Sequence, residues 1–211
     1  MKLLVIGATG VIGAAAVEAA LDAGHDVTVL VRSPEKLGAL APRLRIVEGD
    51  VTDADRIAAA VEGQDAVISA LGSSPDRAQL AVPASAARHV LAAMERHGVR
   101  RLVGLAGGAV AVPGERKPIS GRITSAFVRL MARNVVEAKQ REYEVVSASD
   151  LDWTMVRPPR VVPGPATGHV EIGTKLHGFR VSSGDLASAM VDLATSSAWL
   201  RQAPYVSERP G

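Results

Sequence analysis

The run Leu3-Leu4-Val5-Ile6-Gly7-Ala8-Thr9-Gly10-Val11-Ile12-Gly13 decides the fold. Four apolar residues of strand length break at a glycine, and the helical period of residues 11–23 follows, closed by Gly24. Gly7 allows a tight turn, Gly10 lets backbone approach a ligand with no Cβ in the way, and Gly13 permits close packing of helix on strand. Glycines at this spacing weaken a helix start unless something needs the room. A strand, a glycine turn and a helix mouth in that order make an anion site, with the amides around Thr9, Gly10, Val11, Ile12 and Gly13 facing a diphosphate.

Working outward, residues 27–31 form a second strand that ends in Arg32 and Ser33, with Lys36 a turn later. A site for the unphosphorylated coenzyme places Asp or Glu about 20 residues on, where it bonds the ribose 2′-hydroxyl. This chain puts a guanidinium there, nineteen residues past Gly13, and a guanidinium with a neighbouring hydroxyl can bind a 2′-phosphate. NADP(H) is therefore favoured over NAD(H), although Arg32 as a solvated residue stacked on adenine accounts for the same position. Asp50 and Val51 follow a third strand, where a carboxylate can accept from the adenine amino group. Ala70, Leu71 and Gly72 follow a fourth, where small residues let a cofactor ribose pass.

The same alternation continues. Strands are expected at 44–47, 66–70, 101–105 and 152–156, with helices from Pro34 to about 41, from an Asp53 cap to Val61, up to His97-Gly98, and over 122–149. Ser182 with Asp185 forms a capping box for a last helix to about Thr195, and Val206 falls in a final edge strand. Residues 169–172 and 179–181 are expected to pair as a hairpin, and 109–121 and 161–168 read as loops. The fold class is α/β: one Rossmann domain over 1–211, a doubly wound, mostly parallel sheet with helices on both faces. A small substrate-side region comes from about 109–121 and 161–178.

Composition narrows the function. With 211 residues, 47% hydrophobic, the chain can bury one full core. Lys and Arg number 24 against 22 acidic residues, and no basic run suggests nucleic acid. Arg32, Lys36, Arg43 and Arg45 lie close in sequence, as a localised anion site would have them. Without cysteine there is neither a disulfide framework nor a thiolate metal site, and the five histidines show no metal-like spacing. Four or five of them are expected at the surface, with His169, after Gly168, the candidate for the open substrate side. Met131 and Met155 read as core filler. The opening apolar run falls far short of a signal h-region or of the roughly 20 residues of a membrane span, so a cytoplasmic protein with a small-molecule partner is expected.

Gly7–Gly13, 27–32, Gly49-Asp50-Val51, Gln64-Asp65-Ala66-Val67 and Trp153-Thr154-Met155-Val156-Arg157-Pro158 together resemble the atypical short-chain dehydrogenase/reductases. Within that group the chain is similar to the NAD(P)H-binding, NmrA-like proteins and to the biliverdin reductase B/flavin reductase type. The resemblance implies reduction of flavins, quinones or other planar acceptors; nicotinamide is expected against Ala106, Gly107 and Gly108, with Pro158 also at the coenzyme and a roof from the long, glycine- and proline-rich loops 109–121 and 161–175. It aligns Lys139 with the helix lysine that contacts ribose or nicotinamide. An exposed ion pair with Glu142, three residues on, is the alternative for Lys139.

The departures bear on mechanism. The wider superfamily uses a serine on the fifth strand and Tyr-x-x-x-Lys on the next helix for proton transfer. Here the strand ends Leu105-Ala106-Gly107-Gly108, Val135 stands four residues before Lys139, and Tyr143 lies on the wrong side of it. The catalytic candidates that remain are Lys139 and Arg160. Arg160 occupies the loop after the sixth strand, where the resemblance places a histidine and where a guanidinium could hold an anionic substrate. An NADPH-dependent reductase of conjugated acceptors is the first reading. A non-catalytic NADP-binding redox sensor with a protein partner is its rival, and an epimerase/dehydratase-like protein the third.

Overall fold

The structure, a computed structural model, describes residues 1–115 and 131–209. Strands β1 (Lys2–Ile6), β2 (Asp26–Val31), β3 (Arg45–Glu48), β4 (Ala66–Ser69), β5 (Arg101–Leu105) and β6 (Asp152–Val156) alternate with helices α1 (Val11–Asp22), α2 (Ala54–Val61), α3 (Val82–His97) and α4 (Arg133–Ser147). After β6 come β7 (Val161–Val162), β8 (Val170–Gly173), β9 (Val181–Ser182), α5 (Ser183–Ala194) and β10 (Tyr205–Glu208).

The first six strands form a sheet in the order β3-β2-β1-β4-β5-β6, every neighbouring pair parallel. Strand order reverses between β1 and β4, and ligands of such sheets bind outside the carboxyl ends of the strands at that reversal. The unbroken apolar run of β1 serves both faces. Leu3 and Val5 join the core under α1 and α5, while Leu4 and Ile6 join the core under α2, α3 and α4. Each is wholly buried, worth roughly 1.5–3 kcal/mol per side chain. Asp53 caps α2, its carboxylate accepting from the amides of Asp55 and Arg56, and the left-handed Gly98 closes α3.

Several expectations need correction. The short helix expected from Pro34 to about 41 is present as a 3₁₀ run over Pro34–Arg43, kinked at Gly38. The helix expected over 122–149 is seen from Arg133 to Ser147; its stretch 122–130, like 116–121 of the proposed roof, lies outside the described residues. Residues 169–172 and 179–181 do not pair. Instead β10 inserts between those arms: β8 runs antiparallel to β10, Glu208 N donates to Arg180 O, and β9 pairs in parallel with β7 inside the expected 161–168 loop. The insertion brings Val206 and Val181 to full burial, which a local hairpin would not do. Met155 is core, but Met131 is 72% exposed. Ser182 caps α5 as expected, and the buried Asp185 carboxylate accepts from the Ser182 hydroxyl, the amides of Thr167 and Gly168 and the Thr167 hydroxyl.

The segment just before β10 runs along the free edge of β6. Met155 N donates to Gln202 O and Arg157 N to Pro204 O, while Trp153 O accepts from Arg201 N. Among the described residues no helix is long and apolar enough to cross a membrane, and no cluster of His, Cys, Asp and Glu could hold a metal ion.

Candidate functional site

The residues singled out from the sequence fall in one row along the carboxyl edge of the sheet. Asp50 and Val51 follow β3, Arg32 follows β2, Gly7 follows β1, Ala70 follows β4, Ala106 and Gly107 follow β5, and Pro158 follows β6. With strands about 4.8 Å apart, the row from β3 to β5 spans roughly 19 Å, the reach of an extended ligand laid across the strand ends.

At the centre, Gly7 takes φ +85° and its carbonyl accepts from Gly10 N at 3.0 Å. A Cβ on Gly7 would lie 2.9 Å from Ala70 O, and one on Gly13 only 2.0 Å from Gly7 O, so these two glycines are demanded by the packing of the turn itself. Gly10 is different: a Cβ there would meet nothing nearer than Gly7 O at 3.4 Å. Its freedom faces outward, beside exposed Thr9 and Val11. Gly10 is the N-cap of α1, contributes no side-chain cap, and is followed by no acidic residue in the first turn. Uncapped amides at the positive end of a helix, under an open glycine, fit the diphosphate of a dinucleotide. Ile12 is half-buried against the core and completes the turn.

One end of the row, where the sequence reading expects adenosine, lies at β2 and β3. Arg32, Glu48, Gly49, Asp50 and Arg56 line an open cleft of about 530 Å³. The Arg32 guanidinium is 3.6 Å from Asp50 Oδ2 and 80% exposed, so the pair is weak. Asp50 Oδ1 accepts from the amide and hydroxyl of Thr52, and those bonds hold its carboxyl below the usual range against the opposing effect of burial, with Arg32 the least of the contributions. Ser33 and Lys36 are not among the residues that line this cleft. The basic cluster read from the sequence divides: Arg32 sits at the carboxyl end of β2, whereas Arg45 pairs with Thr28 near its other end. Arg56, which the sequence reading passed over, does line the cleft. Its signal was the Asp53 cap, which sets Arg56 on the first turn of α2, beside Gly49-Asp50.

The β5 and β6 end of the row, where nicotinamide is expected, is built mainly of backbone. Ala106 N donates to Val156 O and Gly108 N to Pro158 O, which ties the end of β5 to buried Pro158. Lys139 is not in an exposed ion pair. Its ammonium is buried and donates to Leu71 O at 2.5 Å, Leu105 O at 2.7 Å and Glu142 Oε2 at 2.7 Å. All its hydrogens are thereby engaged, and it braces the ends of β4 and β5 from beneath. Burial pushes the Glu142 carboxyl up, opposed by the Lys139 charge.

Both tyrosines are accounted for. Tyr143 packs in the core, edge-on to Trp153 with ring centroids 6.1 Å apart. Tyr205 lies under the Arg157 guanidinium, 4.0 Å from its ring centroid. Arg157 also grips Glu115 with two bonds of 2.8 and 3.0 Å and donates to Ala203 O, which ties Glu115 to the residue that follows β6. Arg160 is exposed on the turn between β6 and β7, its carbonyl accepting from Val181 N. His169 and His177 are exposed and the other histidines half-buried.

The sequence pattern of a family described as NAD(P)H-binding matches residues 7–197. The chain is 32% identical over 159 residues to a (4-alkanoyl-5-oxo-2,5-dihydrofuran-3-yl)methyl phosphate reductase of Streptomyces griseus, covering 74% of this chain and 46% of that protein. It is 35% identical over 125 residues to a 3 beta-hydroxysteroid dehydrogenase/Delta 5→4-isomerase of Mycobacterium tuberculosis, covering 54% of this chain and 34% of that protein. The chain thus spans between a third and a half of the length of these relatives. Among solved structures it resembles ChuY, an anaerobillin reductase from Escherichia coli O157:H7, with a TM-score of 0.82, 24% identity and 100% of both chains covered. That likeness shows the shared fold.

Proposed function

The chain belongs to the NAD(P)H-binding family, and from that premise we propose that it is a reductase that prefers NADPH and passes hydride to a flavin, quinone or similar conjugated acceptor. The observation that carries the reading is the make-up of the nicotinamide end: backbone and small side chains at Ala106 and Gly107, over a lysine wholly engaged with Leu71, Leu105 and Glu142. Reduction of an isolated carbonyl needs a proton donor at its oxygen. Tyr143 is in the core and Tyr205 beneath Arg157, so neither phenol serves. A conjugated acceptor needs no such donor, because it takes its proton from water.

The bound coenzyme would supply the hydride; the chain supplies position, an effect worth up to about 7–11 kcal/mol in oriented systems. The amides from Thr9 to Gly13 would hold the diphosphate, Asp50 and Val51 the adenine, and Ala70 to Gly72 the ribose path. Arg32, only loosely held by Asp50, is available to a 2′-phosphate. Exposed Arg160 is our candidate for an anionic group of the acceptor. Two of the similar proteins named above are reductases, which supports the reaction class and leaves the acceptor to experiment.

The test mixes purified protein with NADPH and a panel of flavins and quinones and follows loss of the reduced coenzyme. Turnover on at least one acceptor is expected. Binding with no turnover on any would favour an NADP-binding sensor that reports to a protein partner. Calorimetry with NADPH and NADH checks the preference, and a Kd for NADH equal to or below that for NADPH would remove it.

A further inference from the structure

We propose that Arg56 is the second guanidinium of the 2′-phosphate subsite and therefore a specificity-determining residue. The inference rests on the NADPH reading above and deepens it.

Arg32 and Arg56 line the same open cleft, with Glu48, Gly49 and Asp50 between them in sequence. The cleft is shaped for Arg56. A Cβ on Gly49 would lie 2.6 Å from Arg56 Cβ and 2.7 Å from its Cγ, so the arginine stem lies directly across the Gly49 backbone. No other residue type at position 49 leaves that path open. The amide of Arg56 is fixed by the Asp53 cap at 3.1 Å, which sets the residue on the first turn of α2. Its backbone is thus fixed at the amide, and its stem lies against Gly49.

Its head is not held. Among the described residues the Arg56 guanidinium has no ion pair and no hydrogen bond, although Glu48 and Asp50 share the cleft. Asp50 is already engaged by Thr52 and, at 3.6 Å, by Arg32. A braced stem with an uncommitted cationic head, in a polar cleft at the adenosine end, is the form of a group kept for an anion.

Charge makes the second arginine necessary. With Arg32 as its only cation, a wall that also carries Glu48 and Asp50 would be net negative and would repel a phosphate dianion. Arg56 brings that wall to neutrality and gives the phosphate a second set of donors. NADH carries a neutral hydroxyl at that position and draws no such benefit.

The experiment measures, by calorimetry, the affinities of wild type, Arg32→Ala, Arg56→Ala and Arg56→Lys for NADPH, NADH, 2′,5′-ADP and 5′-AMP. The ratio of phosphorylated to unphosphorylated ligand is read within each variant, so any general loss of site integrity cancels. Arg56→Ala is expected to weaken NADPH and 2′,5′-ADP about tenfold and to leave NADH and 5′-AMP within about twofold, with Arg56→Lys between. An unchanged ratio in Arg56→Ala, with or without a general loss of affinity, overturns the proposal. If Arg32→Ala alone lowers the ratio, the proposal fails while the NADPH reading stands. A wild type that binds NADPH no tighter than NADH overturns both.

Discussion

The Lys139 ammonium stands 2.7 Å from the carbonyl oxygen of Leu105, the last residue of β5, and the same ammonium reaches Leu71 just beyond β4. One buried cation therefore sets the separation of two strand ends that flank the proposed nicotinamide position, with Glu142 as its counter-charge. Lys139→Met should destabilise the fold by about 3–5 kcal/mol, because it strands a buried carboxylate. Replacing both partners, Lys139→Met with Glu142→Leu, should recover a large part of that loss. Urea unfolding of the two variants is the check, and a single variant as stable as wild type would show that the pair braces nothing.

Gly10 and Gly13 should answer differently to the same added methyl. In Gly13→Ala the Cβ would fall 2.0 Å from Gly7 O, and the forced shift of turn against helix should cost roughly 1–3 kcal/mol. In Gly10→Ala the nearest atom is at 3.4 Å, so stability should change by less than about 1 kcal/mol. Coenzyme affinity should nevertheless fall in Gly10→Ala, because the methyl stands where the diphosphate approaches. Thermal melts and calorimetry separate the two effects; Gly10→Ala with undiminished affinity would move the diphosphate elsewhere.

Asp185 should give the acid limb of stability. Burial raises its carboxyl, but donors from Thr167, Ser182 and Gly168 together outweigh burial and hold it below the usual value. A depressed folded value means the contribution is present above about pH 4, the unfolded range, and is lost as pH falls through the folded value. Asp185→Asn should cost roughly 2–3 kcal/mol at neutral pH. The difference from wild type should shrink below about pH 4. A difference that is flat from pH 3 to 7, measured by denaturant melts, would show that the carboxylate charge plays no part.

The tyrosines should titrate late. Burial pushes Tyr205 up to about 12 and Tyr143 upward as well. Both raised values favour the protonated phenol in the folded state, so their contribution is complete below about pH 10 and is lost as pH climbs through the folded values. Tyrosinate absorbance of the native protein should thus appear well above that of the urea-unfolded chain. Native tyrosinate near pH 8 would reveal an activated phenol and restore acid–base reduction of carbonyls as the better reading.

Local signals carried the first two-thirds of the fold. The glycine run, the Asp53 cap, the Gly98 stop and the apolar strands each act within a few residues, and the sequence states them directly. The rest depends on contacts distant in the chain. Nothing near residues 170 or 181 announces that β10 will slide between them, because the burial of Val206 is set by packing under α5. For Lys139 the spacing to Glu142 left an exposed helix pair open beside a coenzyme contact, and only the packing of α4 against α3 and β6 puts both side chains inside. Arg56 escaped notice for a similar reason: its place in the cleft exists only once α2 folds back over the end of β3.

The lining of β6 by the residues before β10 also bears on how these molecules meet one another. An uncovered border strand is a ready template for a neighbour's backbone. At one margin of the sheet the chain's own later residues occupy the amides of Met155 and Arg157. At the other, β3 is only four residues long and carries Arg45 and Glu48 at its ends. Brevity and charge discourage docking there, so growth of the sheet from molecule to molecule is opposed at both margins, by different means.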